Sequence, residues 1–267
     1  MTFFFLLVAL WLAPGGAIEA QAASSSGGRV IFYDPDAKFD DLIGALKAFD
    51  SYFSSLGHLQ FQAVQQSDDF EAALGRKDTQ FVIVSSTYLR SPRGSRLTPL
   101  LVPAAQGDAF YRKLLVSRRE DSVNTLSGKN IASTGVMDDS SEQSKQVMSE
   151  LARQGITRPL LMSVPKDVDA LLALYFRQVQ GALVTPGSIE VLKHINPQAT
   201  ASFQVLFETK KMLRSPFCVV NGRVGSGEQA QVTEEVKHMD SHDLGRVIMQ
   251  RLEFDAWLPF RPEMLAP

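Results

Sequence analysis

RVIFYDPDAKFDDLIGALKAFDSYFSSLG, residues 29–57, joins two hydrophobic periods in one stretch. Arg29 to Tyr33 is a short run of β-branched and aromatic residues, the composition of a buried strand. Asp34-Pro35-Asp36 interrupts it. Phe39, Leu42, Ile43, Leu46, Phe49, Tyr52 and Phe53 then recur every three or four residues, which predicts an amphipathic helix ending near Gly57. Leu59 to Val64 alternates as a strand. Ser67 is expected to cap a helix through Leu74, with Asp68 and Asp69 in the first turn, where negative charge suits the helix dipole. Gln80 to Val84 reads as a buried strand. Residues 29–90 therefore read β-α-β-α-β, the pattern of a parallel sheet covered by helices.

A second unit of the same kind follows. Phe110 to Ser117 reads as one strand crossing into it, and Val123 to Lys129 as a short helical turn. Asn130 to Ser133 is a strand, Ser140 to Gly155 a helix and Leu160 to Ser163 a strand. Pro165 opens the next helix, a position that suits proline. Gly181 to Val184 is a strand ending at Thr185-Pro186-Gly187, with a short helix over Ser188 to Lys193. Phe203 to Glu208 and Phe217 to Asn221 are further strands, and Thr233 to Leu252 is a closing helix broken by Gly245. Two β/α units joined by extended crossings predict two lobes with a cleft between them. Ligands of open α/β sheets bind at the carboxyl ends of the strands, so the loops of interest are 34–38, 85–88, 134–141, 163–166 and 185–188.

The N-terminus decides the compartment. Phe3 to Ala13 is apolar, Pro14-Gly15-Gly16 breaks it, and Ala20-Gln21-Ala22 is an A-x-A cleavage pattern. That is the layout of a secretory signal peptide over residues 1–22, although no Lys or Arg precedes the apolar run. Ser24 to Gly28 reads as a flexible leader, completing a segment 23–28. The expected location is periplasmic, which favours binding, sensing or hydrolysis over chemistry that consumes ATP or NADH. The whole chain carries 27 basic against 29 acidic residues. No basic excess points to nucleic acid or to a membrane surface. The one cysteine, Cys218, lies in an apolar run and reads as an inert buried thiol.

The order and spacing of several short stretches resemble a known family. Pro99-Leu100-Leu101-Val102-Pro103 leads to Tyr111 to Arg118, then to Leu126-Ser127-Gly128-Lys129-Asn130-Ile131-Ala132. Val164 to Ala170 then precedes Gln180-Gly181-Ala182-Leu183-Val184. This succession resembles the phosphate, phosphite and phosphonate substrate-binding proteins of ABC transporters, over about Val30 to Phe260. The resemblance implies an α/β two-lobed periplasmic binding protein of the type II, Venus-flytrap class. Lobe 1 would be 29–104 plus 210–267 and lobe 2 would be 105–209. Closure of the hinge over a ligand is the implied motion.

The family's oxyanion site is a Ser/Thr-rich turn at a helix N-terminus, where backbone N–H groups and the dipole favour an anion. Ser140 and Ser141 match its hydroxyl positions. Asp138, Asp139 and Glu142 flank them, and this departs from the family's neutral turn. Two unit charges 4 Å apart interact by about 4 kcal/mol at an effective dielectric of about 20, enough to offset the helix end. Asp139 and Glu142 also have the spacing of a capping box. The ligand class thus stays open between a phosphorus oxyanion and a different small polar ligand. Ser86, Thr87 and Tyr88 follow a buried strand and either contact ligand or, as Ser86 or Thr87, cap the next helix. Tyr33, Asp34 and Asp36 follow the first strand as contacts or as an Asx turn. Thr185 is a further contact, and Ser215 near the return crossing a weaker one.

Other constellations are incomplete. His238 and His242 share a helical face without further ligands, and no metal motif exists. Gly222 to Gly227 lacks the Gly-Lys-Ser/Thr of a phosphate loop and reads as an exposed loop. No nucleophile elbow or triad is present. The expectation is a monomeric, non-catalytic solute-binding protein without cofactor or metal. Its partner would be an ABC permease in the membrane, or a membrane sensor.

Overall fold

Why the chain makes two sheets follows from where its buried strands change partners. The computed structural model describes residues 27–34, 42–56, 59–64, 66–134 and 142–265. Residues 1–22, Asp36, Asp138, Asp139, Ser140 and Ser141 lie outside them. The chain opens with β1 (Gly28–Tyr33), α1 (Leu42–Ser55), β2 (Leu59–Ala63), α2 (Ser67–Gly75), β3 (Thr79–Val84) and α3 (Ser86–Arg90). β4 (Leu97–Ala104) and the short β5 (Phe110–Tyr111) lead out of this unit. The second unit comprises β6 (Leu114–Arg118), β7 (Asn130–Ser133), α4 (Glu142–Arg153), β8 (Leu160–Ser163), α5 (Asp167–Tyr175), β9 (Gly181–Val184), α6 (Pro186–Ile195), α7 (Pro197–Ala201) and β10 (Phe203–Glu208). The chain returns through β11 (Met212–Leu213) to β12 (Phe217–Val220), α8 (Ser226–Lys237), α9 (Asp243–Arg251) and β13 (Ala256–Pro259).

One sheet has the order β13-β4-β12-β3-β1-β2 and the other β10-β6-β9-β7-β8, while β5 and β11 pair only with each other. β1 runs parallel to both β2 and β3, setting Val30 beside Phe61 and Phe81. β7 runs parallel to β8 and β9. Strands covered on both faces read as continuous apolar runs, and β1 is buried from Val30 to Tyr33. Phe49 and Phe53 of α1 stack on Phe61 of β2, with ring centroids 4.6 and 5.9 Å apart. They join Ile248 and Met249 of α9 in the core on one face of the first sheet. Phe70 and Leu74 of α2 close the other face. In the second lobe, α5 and α6 cover one face and α4 the other. No helix among the described residues is long and apolar enough to cross a membrane.

Several sequence-based boundaries move. Phe110 to Ser117 is two strands, because β5 pairs with β11 whereas β6 pairs with β9 and β10. α5 begins at Asp167 with Lys166 as its N-cap, not at Pro165. Gln66, not Ser67, precedes α2 as its cap. Gly225 is the N-cap of α8, so the glycine-rich stretch launches a helix. The closing helix is two, α8 and α9, separated by a turn at Met239–Ser241. Gly245 is not the break: it lies within α9, and a Cβ there would stand 1.9 Å from the Met239 carbonyl oxygen. β4 carries Pro99 and Pro103, which in sequence argue against a strand. It nonetheless pairs with β12 and β13.

Gly245 and Gly227 make a matched test, because nothing stands within 4 Å of a Cβ at Gly227. Gly245→Ala should lower stability by about 1–3 kcal/mol through overpacking. Gly227→Ala should leave it unchanged or raise it by up to about 1 kcal/mol. Urea midpoints of the two variants check both signs.

Candidate functional site

The two crossings that join the lobes are pinned side by side. Lys113 N donates to Thr209 Oγ1 at 2.9 Å, and Thr209 N donates to the Lys113 carbonyl at 2.8 Å. Around this joint lies a cavity of about 780 Å³. Lobe 1 lines it with Phe32, Asp34, Ile83 and Trp257, lobe 2 with Thr185, Pro186 and Gly187, and the crossings with Tyr111, Lys113, Arg214 and Ser215. Arg112, Lys113, Lys211, Arg214 and Arg251 line it together with Asp34, Asp108, Glu208 and Glu253, an excess of one positive charge.

A buried polar network forms the lobe 2 wall. Asp167, 2 % exposed, stands in the first turn of α5. Its Oδ1 accepts from Thr134 Oγ1 at 2.9 Å. Its Oδ2 accepts from Thr185 N at 2.6 Å, Thr185 Oγ1 at 2.9 Å and Ser188 Oγ at 3.2 Å. One carboxylate thus ties the end of β7 to the end of β9. Lys113, also 2 % exposed, approaches the same strand end. Its ammonium donates to Ser133 Oγ at 3.4 Å, to the Thr134 carbonyl at 3.1 Å and to Thr134 Oγ1 at 3.2 Å. Buried charges persist where hydrogen bonds replace their water, and both groups meet that condition.

Lobe 1 contributes the ends of β1 and β3. Ser215 Oγ donates to Asp34 Oδ2 at 2.6 Å, fastening the return crossing to the end of β1. Ser85 caps α3, its Oγ accepting from Tyr88 N at 3.3 Å, so neither Ser86 nor Thr87 takes that role. Ser86 is buried. Tyr33 stacks on Phe70 at 4.8 Å and meets Tyr88 edge-on at 6.4 Å. The Tyr88 hydroxyl donates to Glu71 Oε1 at 2.7 Å and accepts from Arg96 Nη2 at 2.9 Å. Burial, reinforced by the Glu71 carboxylate, pushes the Tyr88 phenol up to about 12. Burial raises the pKa of Glu71, but hydrogen bonds from Arg96 and Tyr88 outweigh it and hold the carboxyl below its ordinary value. Thr87 does something different: its Oγ1 donates to Gln146 Oε1 of α4 at 2.8 Å, so it bridges the lobes directly.

Of the residues singled out in the sequence, Thr185, Asp34 and Ser215 line the cavity. Tyr33, Ser86 and Tyr88 sit in the packing beneath the α3 loop. Ser140 and Ser141 belong to the stretch outside the described residues, directly after Thr134 and before α4. Sequence reasoning passed over Lys113, Asp167, Arg214 and Trp257. Lys113 did leave a signal, a lysine opening the apolar strand Leu114 to Val116. Asp167 left one too, in the first turn of a helix. Arg214 and Trp257 reach the cavity only through tertiary folding. Burial pushes the Cys218 thiol up, which keeps it protonated and inert. Among the described residues no three His, Cys, Asp or Glu side chains gather as a metal site requires.

Residues 33–265 match the family described as the periplasmic substrate-binding protein of phosphonate ABC transporters. Solved structures share the fold. A Xanthomonas citri protein bound to ATP has a TM-score of 0.66 at 16 % identity, over 89 % of this chain and 93 % of its own. A binding-protein component of a phosphonate ABC transporter from Pseudomonas aeruginosa has a TM-score of 0.63 at 13 % identity, over 90 % and 83 %. PhnD1 of Prochlorococcus marinus, in complex with methylphosphonate, has a TM-score of 0.64 at 11 % identity, over 90 % and 95 %. Among curated proteins none is significantly similar. The chain belongs to the family of phosphonate-binding periplasmic proteins of ABC transporters, a family of binding proteins and not of enzymes.

Two outcomes follow from the geometry. Asp167→Ala removes the acceptor of four hydrogen bonds and should cost about 3 kcal/mol or more, read from denaturant unfolding. Gln146→Ala removes the cross-lobe bond to Thr87. A net hydrogen bond of about 0.5–1.5 kcal/mol should shift the ratio of closed to open lobes by roughly two- to tenfold toward open. Small-angle scattering should show this as a larger radius of gyration.

Proposed function

From membership of this family, we propose that the chain captures a phosphonate or related phosphorus oxyanion at the joint between its lobes. It then presents the ligand to the permease of an ABC transporter. The cavity carries this reading: it is lined by both lobes and both crossings, with cations in excess over carboxylates. Methylphosphonate, the ligand in the Prochlorococcus marinus structure, is the first compound to test. Residues 1–22 are a signal peptide on this reading, removed as the protein reaches the periplasm.

Thr185 is the ligand contact that lobe 2 presents, held by its two hydrogen bonds to Asp167. Ser140 and Ser141, which precede α4 in the sequence, are the proposed hydroxyl contacts. Thr87 closes the cleft from lobe 1, while Ser86, Tyr88 and Tyr33 support its loop. The N-terminus of α4 and the nearby Lys113 ammonium favour an anion. Closure works as population shift: a ligand that touches both lobes binds the closed form better, by the free energy of the added contacts.

Isothermal titration with methylphosphonate, phosphite, phosphate, amino acids and polyamines tests the assignment. Saturable binding of phosphorus oxyanions is expected, weakened about tenfold or more in the double variant Ser140→Ala with Ser141→Ala. Binding confined to cationic or zwitterionic compounds would replace the oxyanion with another ligand class.

A further inference from the structure

Arg214 places in the hinge cavity a guanidinium that makes no hydrogen bond or ion pair among the described residues. It follows β11 on the return crossing, where its backbone N donates to the Ala109 carbonyl at 3.0 Å. Its guanidinium lies 5.9 Å over the Tyr111 ring. Its Nε is buried without an acceptor, and its side chain makes no hydrogen bond or ion pair among the described residues. Other cations around the cavity are engaged: Arg112 with Glu208, Lys211 with Asp108 at 3.2 Å, and Lys113 with Ser133 and Thr134. Burial acts to lower the pKa of Arg214. Tyr111, Glu253, Asp108 and Asp255 oppose that at longer range, none close enough to pair with it. An arginine keeps its proton under such conditions, so the charge persists.

Trp257 is 5 % exposed and lines the cavity, and its Nε1 is buried without an acceptor among the described residues. That Nε1 and the Arg214 Nε present no surface to the cavity, so the outer amino groups of the Arg214 guanidinium are what a ligand's acceptor oxygens can reach. The space is not a gap left by parted lobes, since Thr87 and Gln146 touch across the cleft at 2.8 Å. At about 780 Å³ it far exceeds what methylphosphonate fills, and cavities of about 300–1,000 Å³ hold drug-sized ligands. The planar fork of an arginine matches a carboxylate in two-pronged fashion.

Building on the phosphonate reading above, we propose that Arg214, in the wall it shares with Trp257, forms a second anion subsite at the hinge. The ligand is then an organophosphonate carrying a carboxylate at the far end of its carbon chain. Calorimetry on the purified protein compares phosphonoacetate, phosphonopropionate and phosphonobutyrate with ethyl-, propyl- and butylphosphonate. At the length that spans the cavity, the carboxylate should tighten binding by about tenfold or more. In Arg214→Gln that ratio should fall toward one, and Arg214→Lys should retain part of it, with thermal melts reporting that both variants fold. A ratio near one at every length, or a ratio that survives in Arg214→Gln, overturns the subsite while leaving the phosphonate reading intact. Failure of the folded wild-type protein to bind any of the six compounds overturns the phosphonate reading and the subsite with it.

Discussion

Two backbone segments crossing between the lobes are held together at Lys113 and Thr209, and every part of the cleft is referenced to that joint. Lys113 bonds Thr209 through its main chain and bonds the end of β7 through its ammonium. A single residue therefore couples the hinge to the end of β7. Removing so buried a cation from water is expensive, and three oxygen acceptors at the end of β7 offset that cost. Asp167 repeats the logic one strand away, binding the ends of β7 and β9 into one wall.

The wall and the joint serve different ends. Within each lobe, strands buried on both faces resist deformation, because close-packed interiors are bistable rather than soft. Between the lobes, β5 and β11 form a two-stranded ribbon tied to neither large sheet. Leu213 of that ribbon packs on Val102 and Met264 of lobe 1, so a rotation of one lobe against the other has to pass through the ribbon's joins to β6 and β10. The Thr87–Gln146 bond is the sort of contact that such a rotation makes or breaks, and a ligand in the cavity adds to the same balance.

Fold was more legible than site, for physical reasons. Burial on both faces makes parallel strands read as apolar runs, and helix faces repeat every three or four residues, so β1 to β3 and β7 to β9 stand out. β4 and β13 did not, because prolines in β4 mimic a break and β13 is short. Gly245 signalled a helix break where tertiary packing uses it for close approach to Met239. The same limits apply to the site. Thr185 lies at the end of a strand and could be found by pattern. Arg214 and Trp257 lie 43 positions apart by residue number and line the same cavity only because β13 and the return crossing flank it. The rings of Tyr33 and Tyr88 pack on Phe70, and spacing in the sequence does not distinguish such packing from a ligand contact.

Trp257 offers the most direct probe of where the ligand sits. The chain has two tryptophans, Trp11 within residues 1–22 and Trp257 in the cavity wall. In protein beginning at Ala23, emission therefore reports on the cavity alone. Titration with methylphosphonate should change that emission saturably, with a midpoint equal to the calorimetric Kd. Calorimetric binding with unaltered Trp257 emission would place the ligand elsewhere and contradict the hinge-cavity account.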